Sequence, residues 1–204
     1  MTQLNDFVAA ETLSDLNIVI SGCQRCSLYK TKTKDVPGLG NPSAQIFFIG
    51  EAPGKDEDLK GEPFVGAAGK FLTEMLEEVS LSRDKVFITN ILKHRPPNNR
   101  DPLPEEVEAC WPYLEKQLEL VKPRLVVFLG RHALNRFFPE MKISAVHGKA
   151  FRKEWPKEGE KQVFLALYHP AAALYNGSMR DILKKDFAKI PRLLKKINKE
   201  DLDQ

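Results

Sequence analysis

The chain has 204 residues, 42% of them hydrophobic, which is enough for one sizeable core and predicts a single domain over residues 1–204. Its 31 Lys and Arg against 28 Asp and Glu give a net charge of +3, which permits contact with a polyanion but does not require one. Residues 1–22 have neither the early positive charge of a signal peptide nor the apolar run of a membrane span, so we expect a cytoplasmic protein without membrane association.

Short apolar runs alternate with segments of helical apolar spacing along the chain. Helices are predicted over residues 4–20, 66–79, 105–121, 132–138 and 179–197, and strands over residues 45–49, 86–88, 125–129 and 163–167. Residues from about 198 are predicted to form a frayed tail. Strand alternating with helix predicts a three-layer α/β/α fold around a central four-stranded, mostly parallel sheet.

Three predicted strands end in loops that carry polar side chains: Glu51 within Gly50-Glu-Ala-Pro-Gly54, then Asn90, then His169. In an open parallel sheet, ligands bind beyond the carboxyl ends of the strands, so these side chains are predicted to converge on one ligand. The amide of Asn90 offers both a donor and an acceptor, which suits the edge of a base. Plainer interpretations are a tight turn after Ile49, a turn cap at Asn90 and a structural role for His169.

The cysteines predict a metal site. Cys23 and Cys26 have metal-ligand spacing, and Cys110 lies far downstream. An odd count of three argues against a disulfide framework, and a redox pair would follow a strand, whereas this pair precedes the first one. With His94 as the best fourth ligand, the set suits zinc or an iron–sulfur cluster. The alternative is that Cys110 is a small buried apolar residue and His94 lies on the surface.

Four motifs in order carry a family resemblance. They are Gly50-Glu-Ala-Pro-Gly54, Glu62-Pro-Phe-Val-Gly-Ala-Ala-Gly69, Thr89-Asn-Ile-Leu-Lys93 leading to Arg95-Pro-Pro97, and His169-Pro-Ala-Ala172. Together they resemble the uracil-DNA glycosylase superfamily, and family 4, the iron–sulfur enzymes, most closely. The resemblance implies a base excision repair enzyme that flips uracil out of DNA and hydrolyses its N-glycosidic bond, leaving an abasic site.

The resemblance also implies roles for single residues. His169 matches the histidine that hydrogen-bonds the O2 of the departing uracil, and Glu51 matches the acid placed for the hydrolytic water or the developing sugar cation. Phe64 matches the aromatic on which uracil stacks, and Asn90 matches the amide that pairs with uracil O4 and N3. Glu57 is assigned a place near uracil C5, where it would exclude the methyl group of thymine. Gly50 and Ala52 complete the predicted substrate-binding residues.

One position departs from the family 4 pattern, because His94 stands where a fourth cysteine normally precedes Arg-Pro-Pro. We expect a structural 4Fe-4S cluster bound by Cys23, Cys26, His94 and Cys110, with zinc as the alternative. A histidine here also resembles family X, whose members capture the abasic sugar covalently through a histidine in an inserted loop. Residues 95–101 contain no histidine and no insertion, which favours turnover.

Two interpretations from other classes remain: a noncatalytic iron–sulfur or zinc nucleic-acid-binding module, and a zinc-stabilised enzyme acting on nucleotides or phosphate esters. The chain shows neither a P-loop nor a paired acidic metal site, which disfavours the second.

Contact with DNA is predicted in two kinds of segment. The loop after His169 resembles the family's intercalating loop and offers Leu174, Tyr175 and Met179 as candidate wedges. Basic segments at residues 30–34, 95–100 and 184–196 are candidates for binding phosphates, although such runs are usually solvated faces. The expected partner is uracil-containing DNA, single- or double-stranded, bound by a monomer, with a sliding clamp as a candidate protein partner.

Overall fold

The computed structural model describes residues 9–156 and 159–202. The strands in this part of the chain are β1 (Leu39–Gly40), β2 (Ile46–Gly50), β3 (Phe87–Asn90), β4 (Leu125–Leu129), β5 (Ala150–Glu154) and β6 (Lys161–Leu167). The helices whose bounds fall inside it are α1 (Leu13–Ser21), α2 (Lys55–Lys60), α3 (Ala67–Glu78), α4 (Pro104–Val121), α5 (Arg131–Phe137), α6 (Ile143–Val146), α7 (Ala172–Tyr175), α8 (Met179–Phe187) and α9 (Ile190–Leu202). Among these helices, none has the length and apolar character needed to cross a bilayer.

The described strands form one six-stranded sheet in the order β1-β3-β2-β4-β6-β5. The four inner strands run parallel and are the four predicted from the sequence. The two edge strands are antiparallel and were not predicted. Strand β1 has only two residues, one of them glycine, and β5 is largely exposed, so neither presents the apolar run that marked the inner strands.

Both faces of the inner sheet are covered by helices. On one face Phe48, Val127 and Leu165 pack with side chains of α3, α8 and α9. On the other face their neighbours Phe47 and Val126 pack with side chains of α4 and α5. Fully burying one such side chain contributes roughly 1.5–3 kcal/mol. The predicted α/β/α layering is therefore confirmed, and it holds the ends of the parallel strands in fixed register.

Helix boundaries differ from the sequence prediction at both ends of the chain. The predicted helix over residues 4–20 begins partly outside the described residues, and α1 itself starts after Thr12, whose side chain caps it through the backbone N–H of Asp15. The predicted helix over residues 179–197 is two helices, because Pro191 fits only in the first turn of a new one. Helix α9 continues to Leu202, beyond the point at which the frayed tail was predicted to begin.

Candidate active site

A cavity of about 270 Å³ opens at the carboxyl ends of the parallel strands. The pairing of Gly50 with Asn90 aligns the ends of β2 and β3, and Leu129 pairs with Leu167 at the ends of β4 and β6. The cavity is lined by Glu51, Ala52, Pro53, Gly54, Glu57, Phe64, Ala68, Asn90, Pro96, Asn99, Arg100, His169 and Ala171. The structure thus brings together the residues that the sequence singled out at three strand ends.

Gly50 lies directly behind the cavity wall. A Cβ atom at Gly50 would lie 2.5 Å from Cζ of Phe64 and still closer to Oδ1 of Asn90. Glycine is therefore the residue that lets these two side chains approach each other at the end of β2.

Phe64 is held firmly in the cavity wall. Its backbone has a φ of +53°, which is uncommon for a bulky residue and needs support from its surroundings. Arg83 supplies part of that support by donating to the carbonyl oxygens of Pro63 and Phe64, at 2.6 and 3.2 Å. The Phe64 ring stacks against the imidazole of His169 with centroids 5.5 Å apart. An aromatic surface and a hydrogen-bonding ring therefore face the same space.

Asn90 presents an acceptor that lacks a partner. The residue is only 2% exposed, and its Oδ1 has no hydrogen-bond partner among the described residues. Leaving a buried polar atom unpaired costs roughly 1–3 kcal/mol, so such an atom is a candidate for pairing with a ligand. The amide oxygen of Asn90 is thus ready to accept a hydrogen bond from a base.

Buried Lys93 supports Asn90 from behind, a role that the motif alone did not indicate. Its Nζ donates to the backbone oxygen of Asn90, to Oγ1 of Thr89 and to Oε1 of Gln117, each at 2.7 Å. Burial lowers the pKa of Lys93 to about 7. The spacing of three residues between Asn90 and Lys93 was visible in the motif, but the burial that makes the contact important was not.

His169 is arranged as a neutral hydrogen-bond donor. Its pKa is lowered to about 4, mainly by burial; Glu57 acts to raise this pKa and the nearby His132 acts to lower it. Its Nδ1 accepts a hydrogen bond from the backbone N–H of Ala171 at 3.2 Å. In a neutral imidazole the other nitrogen then carries the proton, so Nε2–H of His169 is the available donor.

Glu51 lies on the cavity wall within an ionic network. The pKa of Glu51 is raised overall, mainly by burial. His132 and Arg131 act to lower this pKa, and Asp101 acts to raise it. Nε2 of His132 lies 3.6 Å from Oε2 of Glu51. Sequence reasoning missed His132, although it follows the end of β4 and the strand-end rule that selected Glu51, Asn90 and His169 applies to it equally.

Glu57 joins two loops of the cavity. Its Oε1 accepts from the backbone N–H groups of Val65 and Gly66, both at 2.9 Å, and its Oε2 accepts from that of Gly54 at 3.1 Å. These bonds connect the start of α2 to the loop that carries Phe64. Glu57 therefore fixes the shape of the cavity, a function that its sequence position did not reveal.

The candidate metal ligands meet at a second site. Cys23, Cys26, His94 and Cys110 line one small enclosed space, together with Lys93 and Tyr113. His94 is only 4% exposed, so the alternative that placed it on the surface is wrong. Burial raises the pKa of Cys110 to about 12 and also raises that of Cys26, so without a bound cation these two thiols stay protonated.

The spacing of these donors is wider than a single zinc ion requires. Four ligands around one zinc ion, at about 2.3 Å for sulfur, would lie roughly 3.8 Å from one another. No three of the donors of Cys23, Cys26, His94 and Cys110, all of them described, lie within 4.8 Å of each other. These four donors therefore do not stand at the mutual distances of a formed tetrahedral zinc site.

His94 has one ring nitrogen already engaged. Its Nε2 lies 2.7 Å from Oδ1 of Asp35, which also pairs with Lys32. Burial alone would raise the pKa of Asp35, but these two partners lower it overall. Metal-bound histidines commonly give their second nitrogen to a carboxylate, so this contact leaves Nδ1 as the nitrogen suited to a metal.

The candidate DNA-contact residues differ in exposure and in pairing. Tyr175 at the end of α7 is 91% exposed, Leu174 is 48% exposed, and Met179 packs partly against the core. Several predicted phosphate-binding cations are already paired. Lys184 bonds to Glu74 and Glu78, and Arg100 bonds to buried Glu106.

A larger groove of about 940 Å³ lies between α4 and the β5–β6 hairpin, and it contains none of the predicted site residues. Six of the twelve described lining residues are charged, and Trp155 and three prolines are among the others. The smaller cavity is therefore the candidate active site, because convergent polar groups and perturbed pKa values coincide there.

Comparison with known proteins identifies the family of the chain. The family model described as the Uracil DNA glycosylase superfamily matches residues 37–199. A type-4 uracil-DNA glycosylase of Archaeoglobus fulgidus is 54% identical over 188 residues, which cover 90% of this chain and 94% of that protein. Type-4 uracil-DNA glycosylases of Sulfurisphaera tokodaii and Saccharolobus solfataricus are 46% and 48% identical, over 90% and 84% of this chain and 85% and 82% of theirs. The chain therefore belongs to the uracil DNA glycosylase superfamily.

Proposed function

We propose that this chain is a DNA repair glycosylase that flips uracil out of DNA and hydrolyses its N-glycosidic bond, releasing uracil and leaving an abasic site. The observation that carries the proposal is the buried, unpartnered Oδ1 of Asn90 beside the ring of Phe64. The proposal draws further support from family membership and from the identity to type-4 uracil-DNA glycosylases.

Recognition follows from the pairing pattern of the base. Oδ1 of Asn90 accepts from N3–H of uracil, and its amide nitrogen donates to O4. Cytosine presents an acceptor at N3 and a donor at C4, the reverse pattern, so it would leave both groups of Asn90 unsatisfied. Phe64 supplies the stacking surface, worth about 1–3 kcal/mol per base on single-strand sites. Glu57, fixed by three backbone N–H groups, forms the barrier to the methyl group of thymine.

The chemistry divides between His169 and Glu51. As the bond between C1′ and N1 breaks, its electrons pass to uracil, and negative charge builds on O2. Nε2–H of His169 donates to that oxygen and strengthens as the charge develops. The carboxylate of Glu51 stabilises the positive sugar and orients the water that attacks C1′, and the proton of that water leaves to Glu51 or to solvent.

The duplex must release its base before the reaction. Extruding a base costs a few kcal/mol, part of which an inserted side chain recovers by filling the gap. Tyr175 is the candidate wedge, because it is the most exposed of the three residues in the loop after His169. Single-stranded uracil DNA needs no wedge, so we expect Tyr175→Ala to slow excision from duplex DNA only.

We also propose a structural 4Fe-4S cluster held by Cys23, Cys26, His94 and Cys110. The support for this assignment is the donor set itself, three thiols and one imidazole that line one space. When bound, the cluster would join the segment after α1 to α4 and to the loop after β3. Anaerobic purification and metal analysis test it: about four irons and four sulfides per chain are expected. Stoichiometric zinc without iron would instead establish the zinc alternative.

We propose that the chain acts as a cytoplasmic monomer on single- or double-stranded uracil DNA, with a sliding clamp as a candidate partner. Size-exclusion chromatography alone and with a clamp protein tests the oligomeric state and the partnership.

The activity itself is tested with uracil-containing oligonucleotides, single- and double-stranded, without added metal or nucleotide. We expect free uracil and alkali-sensitive abasic sites, and no product from matched oligonucleotides with thymine or cytosine. DNA binding without uracil release, by protein of native fold, would support the noncatalytic module. A denaturation-resistant adduct with DNA would support the covalent, family X-like reaction.

A further inference from the structure

The end of β4 brings a histidine to the Glu51 side of the cavity. Gly130, with a φ of +95°, makes the turn between β4 and α5, and its N–H donates to the backbone oxygen of Leu167 at 2.8 Å. This turn places His132 in the first turn of α5. Its Nε2 lies 3.6 Å from Oε2 of Glu51 and 3.5 Å from Oδ1 of Asp101. One ring nitrogen is thus shared between two carboxylates.

Arg131 completes the arrangement. Its Nη2 lies 2.6 Å from Oδ2 of Asp101, and its Nε lies 3.0 Å from Nε2 of His132. When Nε2 of His132 carries no proton, it accepts from Arg131. When it carries one, the bond from Nε of Arg131 is broken, because two N–H donors cannot face each other at 3.0 Å, and the positive charge of His132 faces Glu51 and Asp101 at ion-pair distance. The position of His132 therefore links its protonation to the charge of Glu51.

The same three donors, from Glu51, Asp101 and His132, lie within 4.8 Å of one another, as in a cation site. The guanidinium of Arg131 already supplies one positive charge there, and a proton on His132 supplies the second. Two carboxylates are then balanced by two side-chain cations. The cluster is better explained as an ionic network than as a site for a divalent metal.

We propose that His132 is a positioning residue for Glu51, which keeps the Glu51 carboxylate ionised and in place while positive charge develops on the sugar. This inference rests on the proposed role of Glu51. Burial and Asp101 both favour the protonated form of Glu51, which has no charge with which to stabilise a cation. An opposing positive charge within about 4–6 Å favours the ionised form.

Other charged groups lie near enough to contribute. The titratable and charged side chains that face Glu51 from the elements around it, or share its cavity, are His132, Arg131, Asp101, Arg100, Glu57 and His169. Of these residues, His169 is a second one on which His132 acts, because His132 also acts to lower the pKa of His169. An experiment on His132 must therefore show through which residue it acts.

The test is the pH dependence of the single-turnover rate of uracil release in His132→Phe, which keeps an aromatic ring but has no titrating nitrogen. We expect the acid limb of the profile to move to higher pH by about one unit, the lower end of the range for an opposite charge at this distance. At alkaline pH, where Glu51 is ionised with or without His132, the rate should stay within about threefold of wild type. His147→Phe is the matched control, since His147 also pairs with a carboxylate, that of Asp186, but does not line the cavity.

The double variant Glu51→Gln/His132→Phe shows whether His132 acts through Glu51 or through another residue. If His132 acts through Glu51, its substitution should cause no shift in the Glu51→Gln background, and a ¹³C titration should show Glu51 protonating at higher pH in His132→Phe. A shift that persists in the Glu51→Gln background would overturn the proposal. The proposal would also be overturned if His132→Phe lost rate equally at every pH while the acid limb of its profile kept the wild-type position. A profile identical to that of wild type would overturn it as well.

The two proposals fail in different ways. If Glu51→Gln loses activity but His132→Phe leaves the limb unmoved, only the role of His132 is overturned. If Glu51→Gln releases uracil at the wild-type rate with the wild-type profile, the role of Glu51 is overturned, and the role of His132 with it.

Discussion

In the proposed mechanism, replacing His169 by alanine removes the donor that faces the charge developing on uracil. In comparable sites the loss of one such donor costs about 2.7–4 kcal/mol, or roughly 10²–10³ in rate. The imidazole of His169 is neutral near pH 7, because its pKa is about 4. A neutral donor binds the uncharged base weakly and the departing anion strongly, so we expect His169→Ala to slow the chemical step and to leave DNA binding nearly unchanged.

The assay is single-turnover uracil release with enzyme in excess, combined with binding to an oligonucleotide that carries a non-hydrolysable uracil nucleoside. Phe64→Ala is the comparison, since it removes the stacking surface and should weaken binding as well as slow excision. His147→Ala is the control for a histidine outside the cavity. A rate for His169→Ala within about threefold of wild type, or a loss explained entirely by binding, would refute the reasoning.

The depressed pKa of His169 also predicts how stability changes with acid. The unfolded chain titrates this histidine near 6.5 and the folded chain at about 4, so between these values the unfolded state binds more protons. The contribution of neutral His169 is fully present above pH 6.5 and is lost as pH falls through about 4. It amounts to at most about 3 kcal/mol. Urea unfolding at neutral and acid pH should show a smaller acid loss in His169→Ala than in wild type, and equal losses would contradict the assignment.

Three further substitutions test the surroundings of the site. Gly50→Ala places a Cβ 2.5 Å from Cζ of Phe64, so we expect about a 100-fold loss of kcat/KM together with a lower Tm, whereas the uncrowded Gly22→Ala should retain activity. Equal activity of the two variants would show that the wall can move. Lys93→Met leaves three buried oxygens without their donor, so urea unfolding should show a loss of about 3 kcal/mol; unchanged stability would mean that the network is not needed. Cluster loss monitored by absorbance should begin at milder acid in wild type than in His94→Cys, because imidazole protonates more readily than a metal-bound thiolate, and identical acid profiles would remove His94 from the ligand set.

The sequence by itself determined the inner sheet and the region of the site. Apolar runs such as 125–129 are local patterns, and burial on both faces of a parallel sheet requires them, so the four inner strands were predictable. Glu51, Asn90 and His169 could be grouped from the sequence alone, because parallel strands end at the same edge of a sheet. The two edge strands lacked that local signal, since β5 is largely exposed and β1 has two residues.

Only the tertiary structure decided how the site residues are paired. His94 meets Asp35 across 59 residues of sequence, and Lys93 meets Gln117 across 24, so no local pattern records either contact. The unpartnered oxygen of Asn90 and the low pKa of His169 both depend on burial by distant segments, which spacing along the chain does not encode. The physical reason is that periodicity reports which face of an element is apolar, whereas hydrogen bonding and desolvation depend on which other elements pack against it.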